Sequence, residues 1–138
     1  MKKAVREQIF NKYGGKCAYC GCELQKGWHV DEIEPVRRNF NWNQDKRRYE
    51  VNKDNPMCHP ERLHIDNQNP SCPSCNINKH SESLESFRSA IKGYMKHLNE
   101  VSTQYKIAKR YGLITETDID VKFYFETLNE YDTATKES

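Results

Sequence analysis

Three features predict an α+β domain braced by a metal site: two Cys-x-x-Cys pairs, a long stretch with helical apolar spacing, and two short runs rich in strand formers. At 138 residues the chain has the length of one domain, and residues 1–138 are read as a single unit. It is polar, with 36% hydrophobic and 30% charged residues and a mean hydropathy of −1.03. A core drawn from so few apolar side chains needs outside support. No run approaches the roughly eighteen apolar residues of a membrane span, and no apolar stretch follows the positive charges of residues 1–8. A membrane span and a secretory leader are therefore not expected, and a reducing cytosol is the expected compartment. The net charge of +2 is unevenly spread: residues 113–138 hold two Lys against seven Asp and Glu, which leaves +7 on residues 1–112. A basic body suits a polyanion, although an ordinary soluble domain can carry the same asymmetry.

The elements follow in order. Residues 3–13 place Val5, Ile9 and Phe10 at helical spacing, and Gly14-Gly15 ends this lead helix. Cys17-Ala-Tyr-Cys20 and Cys72-Pro-Ser-Cys75 then each form a tight turn presenting two thiolates, and two such turns complete the tetrahedral sulfur shell of a structural zinc. Two alternatives are weaker. Disulfides lack the secretion signal that would accompany them, and neither pair sits in the strand-helix-strand pattern of a redox motif. Fifty-one residues separate Cys20 from Cys72, so a folded insert is expected between the knuckles, while Cys22 and Cys58 read as ordinary thiols. Residues 28–35, Trp-His-Val-Asp-Glu-Ile-Glu-Pro, form a short strand that Pro35 ends, followed by a polar loop with aromatics to about residue 70. Leu84, Phe87, Ile91, Tyr94, Leu98 and Val101 step by three and four, giving a long amphipathic helix. Its narrow seam is expected to pack on the domain's own core, with a homodimer left open beside a monomer. Tyr105, Ile107, Ala108 and Tyr111 predict another helix capped by Gly112. Residues 121–126, Val-Lys-Phe-Tyr-Phe-Glu, alternate as a C-terminal strand, and the last dozen residues read as frayed and acidic.

One order of motifs stands out: Cys17-x-x-Cys20, then Val30-Asp31-Glu32-Ile33-Glu34-Pro35, then Asn67 five residues before Cys72, then Cys72-x-x-Cys75-Asn76-x-x-Lys79. This order resembles the zinc-knuckle branch of the HNH endonuclease family, whose pattern runs Cys-x-x-Cys, Asp-His-Ile-x-Pro, Asn, Cys-x-x-Cys-Asn-x-x-Lys. The lead segment Lys12-Tyr13-Gly14-Gly15-Lys16-Cys17-Ala18-Tyr19-Cys20-Gly21, with Leu84-Glu85-Ser86-Phe87-Arg88 and Phe123-Tyr124-Phe125-Glu126, is similar to small phage and mobile-element members. The resemblance implies a ββα-metal core over residues about 14–82, behind the lead helix and ahead of a helical and strand extension over about 83–138.

By position, the resemblance makes Asp31 and Asn76 ligands of a catalytic Mg²⁺ or Mn²⁺, oxygen donors suited to a hard ion that also holds phosphate oxygens. Asn67 would hold the loop and orient the general base through the backbone. Lys79 would face a phosphate from the helix start, or stand as a solvated helix lysine. The departure is at the general base: the family's His is replaced here by Glu32. An imidazole accepts a proton readily near neutral pH, and a carboxylate is a weaker base. Three explanations stay open: a substitution introduced to trap a complex, a lineage that binds without cutting, and an active variant with another base. His29, two residues before Asp31 and on its side of the strand, is the alternative base.

Residues 37–49 carry Arg37, Arg38, Lys46, Arg47 and Arg48 against a single acid, Asp45, with Phe40, Trp42 and Tyr49 between them. That mixture suits phosphate contact with stacking or groove insertion, or a loop whose aromatics cover the knuckle. Lys2, Lys3, Arg6, Lys12 and Lys16 add cations from the lead segment. The expected function is a metal-dependent DNA endonuclease acting on double-stranded DNA in a bacterial or phage-infected cytoplasm, impaired by Glu32. The alternative is a zinc-stabilised DNA-binding protein without hydrolysis.

Overall fold

A computed structural model describes residues 1–128 as a mixed α+β arrangement of small antiparallel sheets and four helices. The lead helix, α1, spans Lys3–Asn11, two residues short of the expected end. Gly14 and Gly15 then turn the chain with φ of +62° and +78°. Gly15 is fixed twice over, because a Cβ there would also sit 3.0 Å from the Phe10 ring. The first knuckle follows as a tight loop in which Cys17 N–H donates to the Cys22 carbonyl and Gly21 N–H to the Cys17 carbonyl.

Strand β1, His29–Glu32, pairs antiparallel with β4, Gln68–Ser71, in the register Asp31 opposite Asn69 and Glu32 opposite Gln68. Helix α2, Pro73–Lys79, follows β4 directly and packs against β1. Cys72 is its N-cap, and Pro73 stands at the first position, where no amide donor is missed. The stretch between β1 and β4 is not the expected loop. It folds into a hairpin of β2, Phe40–Asn43, and β3, Arg48–Val51, followed by two single 3-10 turns.

Helix α3, Leu84–Val101, begins at Ser83, whose hydroxyl accepts from Ser86 N–H at 3.1 Å. Its apolar seam divides. Phe87 is buried, and Leu84 and Ile91 pack on the core, whereas Tyr94, Leu98 and Val101 are exposed. Helix α4, Thr103–Arg110, ends as predicted at Gly112: Leu113 N–H reaches the Ala108 carbonyl and Gly112 N–H the Lys109 carbonyl, the paired bonds of a Schellman cap. Glu116 ties α4 back to α3 by accepting from Asn99, Tyr105 and Lys109, which hold its carboxyl down at about 2.

The expected C-terminal strand is absent among the described residues, because residues 124–128 turn helical. Glu126 accepts from Phe123 N–H at 2.9 Å, half of a capping box, and the free amides of Tyr124 and Phe125 donate to the carbonyls of Tyr19 and Ala18 in the first knuckle. Alternating aromatics thus serve one cluster rather than one sheet face: Phe87 and Phe123 stack at 5.5 Å, with Tyr19 edge-on to both. This knot of Cys17, Tyr19, Leu24, Phe87 and Phe123 is the core. The frayed acidic end lies, from residue 129 on, outside the described residues. Among the described residues no helix is long and apolar enough to cross a membrane.

Candidate functional site

The two knuckles meet. The Sγ atoms of Cys17, Cys20, Cys72 and Cys75 all lie within 4.8 Å of one another, and all four thiols are free. Cys20 and Cys72 are 3.8 Å apart, the edge of a tetrahedron with metal–sulfur bonds of about 2.3 Å. The backbone supports thiolates here: Cys72 N–H points to Cys17 Sγ and Cys75 N–H to Cys72 Sγ, each at 3.4 Å. Cys17 is drawn down to about 4, chiefly by a hydrogen bond from the Cys75 thiol, with the amides of Cys20, Cys72 and Tyr19 assisting against burial. The Cys75 thiol is pushed up by that same bond and by burial. Four soft donors at tetrahedral spacing form a cluster that could hold a metal ion such as zinc. Cys22 lies beside the cluster, its thiol raised to about 12 by burial and the Cys20 and Cys72 thiols, while Cys58 bonds Asn39 far along the chain.

Asp31 stands in the middle of β1 and is almost wholly buried. Its Oδ2 accepts from the Tyr19 hydroxyl and pairs with Lys79 Nζ at 3.1 Å. Burial lifts the Asp31 carboxyl above the usual carboxylate range, with Tyr19 and Lys79 opposing it. Oδ1 has no hydrogen-bond partner among the described residues. The position of Lys79 corrects the expectation of a phosphate-facing or solvated lysine. Its side chain is fully buried, donating also to the Glu32 carbonyl at 2.9 Å. The cause is helical period: Cys72, Cys75, Asn76 and Lys79 fall on one face, turned to β1 and the thiol cluster.

Asn76 shares that inward face, half-buried, and its carboxamide has no hydrogen-bond partner among the described residues. Asn67 is a clamp. Its Oδ1 accepts from Glu34 N–H at 2.9 Å, its Nδ2 donates to the carbonyls of Glu34 and Arg62 at 2.9 Å each, and its own carbonyl accepts from Ile33 N–H. Both residues after Glu32 are therefore held by one residue, Ile33 through the Asn67 backbone and Glu34 through the Asn67 side chain. Glu32 is half-buried at the end of β1, and His29 is exposed at the start, on the Asp31 side of the strand.

Arg37, Arg38, Arg47 and Arg48 are all exposed, in or beside the hairpin. Arg37 is tethered to the Ser81 carbonyl and Glu82, and Arg48 to Glu50. Two lead-segment cations are committed elsewhere. Arg6 donates to the Trp28 carbonyl and lies 3.9 Å over its ring, and Lys12 donates to the carbonyls of Ile65 and Gln68. Burial lowers the Lys12 ammonium.

Sequence reasoning missed the buried polar layer beneath Asp31. Asn69, opposite Asp31, accepts from Lys12 Nζ and Tyr13 Oη and leaves its own Nδ2 without a partner among the described residues. Tyr19 is the other omission. It lies between the first two cysteines and joins the thiol cluster to Asp31 through one hydroxyl. No family model, curated protein or solved structure matches the chain.

Proposed function

We propose that the chain is an HNH-type, metal-dependent DNA endonuclease scaffold whose hydrolysis is impaired by Glu32. The observation that carries this reading is the arrangement of β1, β4 and α2: two antiparallel strands followed by a helix, with Asp31 on the first strand, the Asn67 clamp entering the second, and Asn76 on the helix face turned to the first. The cysteine cluster, holding zinc, would brace this unit from behind.

Asp31 and Asn76 would hold one Mg²⁺ or Mn²⁺, both through oxygen donors, with Asp31 offering the Oδ1 that Tyr19 and Lys79 leave free. When bound, that ion polarises a phosphate oxygen and neutralises the departing 3′ oxygen. The remaining work falls to the protein. Lys79 and Tyr19 fix the Asp31 rotamer, and Asn67 fixes the backbone on which residue 32 is carried. At that place Glu32 would accept the proton of the attacking water less well than a histidine. The hairpin arginines Arg37, Arg38, Arg47 and Arg48 would meet the DNA backbone. Glu32 favours a second reading, a zinc-braced DNA-binding protein without hydrolysis.

Manganese binding separates the two. The zinc-loaded chain, titrated with Mn²⁺ and followed by electron paramagnetic resonance, should bind one equivalent. Asn76→Ala, which breaks no side-chain hydrogen bond among the described residues, should weaken that binding on the order of 10-fold or more. A wild-type chain that binds duplex DNA but takes up no Mn²⁺ would favour the binding protein.

A further inference from the structure

One face of the β2–β3 hairpin is left exposed among the described residues. Phe40 is opposite Val51 and Trp42 opposite Tyr49, so these four side chains share one side of the two-stranded ribbon. They are 53%, 38%, 50% and 69% exposed, respectively. Among the described residues the hairpin makes no extensive contact with any other helix or strand. Trp42 and Tyr49 already meet edge to face, with centroids 5.1 Å apart. On the opposite face Glu50 accepts from Asn43 and Arg48, and Lys46 pairs with it as well.

We infer that this aromatic face stacks unpaired bases of a DNA strand running beside the proposed cleavage site, so that the preferred substrate is a duplex with a single-stranded arm. The inference rests on the DNA reading above and goes further by naming the form of the substrate. Charge selects a nucleic acid over an apolar protein surface: residues 37–51 carry five cations against Asp45 and Glu50, and Arg38 and Arg47 have no ion-pair partner among the described residues. Chemistry selects unpaired bases over duplex. A paired base shows a groove only its edge, whereas the side this hairpin leaves exposed is ring surface rather than donors and acceptors: the Trp42 indole N–H donates to Gln44, and Asn43, Arg48 and Glu50 bond one another. An aromatic surface instead meets the face of a base, available only once it leaves the stack. Location agrees, since the hairpin is the first element after β1 and is tied at its root by Arg37 to the Ser81 carbonyl beyond α2.

Fluorescence anisotropy tests this on the full zinc-loaded chain without added Mg²⁺ or Mn²⁺, using a blunt duplex, the same duplex with an unpaired arm, and the Trp42→Ala/Tyr49→Ala variant. The wild type should bind the armed duplex on the order of 10-fold more tightly than the blunt one. The variant should lose that preference and keep its blunt-duplex affinity. Equal wild-type affinity for the two DNAs, a comparison that needs no variant, would overturn the inference and leave the DNA reading standing. Equal losses on both DNAs by a folded variant would also overturn it. No affinity for either DNA would overturn both, and would turn the aromatic face toward a protein partner.

Discussion

Serine at position 72 should leave a chain that no longer unfolds cooperatively, and a zinc chelator should do the same to the wild type. Cys72 has two tasks: it is one of the four clustered thiols and, as the N-cap of α2, the acceptor for Cys75 N–H. The rest of the core cannot compensate, because Cys17 and Tyr19 in the first knuckle are themselves its centre. A structural zinc contributes about 10–16 kcal/mol in zinc-finger peptides, and a whole domain is stable by only about 5–15 kcal/mol. Loss of a zinc held there would therefore exceed what the described apolar contacts can carry. Near-ultraviolet circular dichroism with metal analysis checks this, the expected result being one zinc per chain and a cooperative melt lost on chelation. Cys58→Ser should change neither. A chelated chain that melts as before would mean that the thiols are incidental to the fold.

Lys79→Met should destabilise the domain by about 3–5 kcal/mol, because it leaves the buried Asp31 carboxylate without its cation. Tyr19 would remain as its sole described partner on Oδ2. The Asp31→Asn, Lys79→Met double variant removes both charges and should recover most of that loss, a coupling read from urea midpoints. A surface lysine that only touches phosphate would behave in the opposite way, with DNA affinity reduced and the urea midpoint unchanged. That outcome would contradict the buried pair.

The spacing of residues carried much of this architecture. The four cysteines, the Leu84-to-Val101 helix and the Gly112 cap each depend on chain-local rules, and the structure has each of them. The placement of Asn67 five residues before Cys72 located a residue that does clamp the chain after Glu32. Other features were written in the sequence in a form easily read otherwise. Phe40-Asn41-Trp42-Asn43 and Arg48-Tyr49-Glu50-Val51 alternate strictly, yet with asparagines and charges on one face and the aromatics exposed they resemble a polar loop. The stripe of Cys72, Cys75, Asn76 and Lys79 already places Lys79 inward, although a lysine near a helix end suggests solvent. Alternation over residues 121–126 misled, because Glu126 caps a helical turn and the knuckle carbonyls take its free amides. The bond from Tyr19 to Asp31 has no local signature, since it exists only once the knuckle has folded onto the strand.

On the proposed reading, this scaffold is built to hydrolyse DNA and lacks only an adequate proton acceptor at residue 32. A supercoiled-plasmid assay with Mg²⁺ or Mn²⁺ tests it most directly, comparing the wild type with Glu32→His at equal zinc content. Glu32→His should cleave on the order of 10²–10⁴ times faster than the wild type, and neither should cleave without the divalent ion. Equal cleavage by both would remove Glu32 as the defect and shift attention to His29. No cleavage by either, with DNA still bound, would contradict the account and leave a zinc-braced DNA-binding protein.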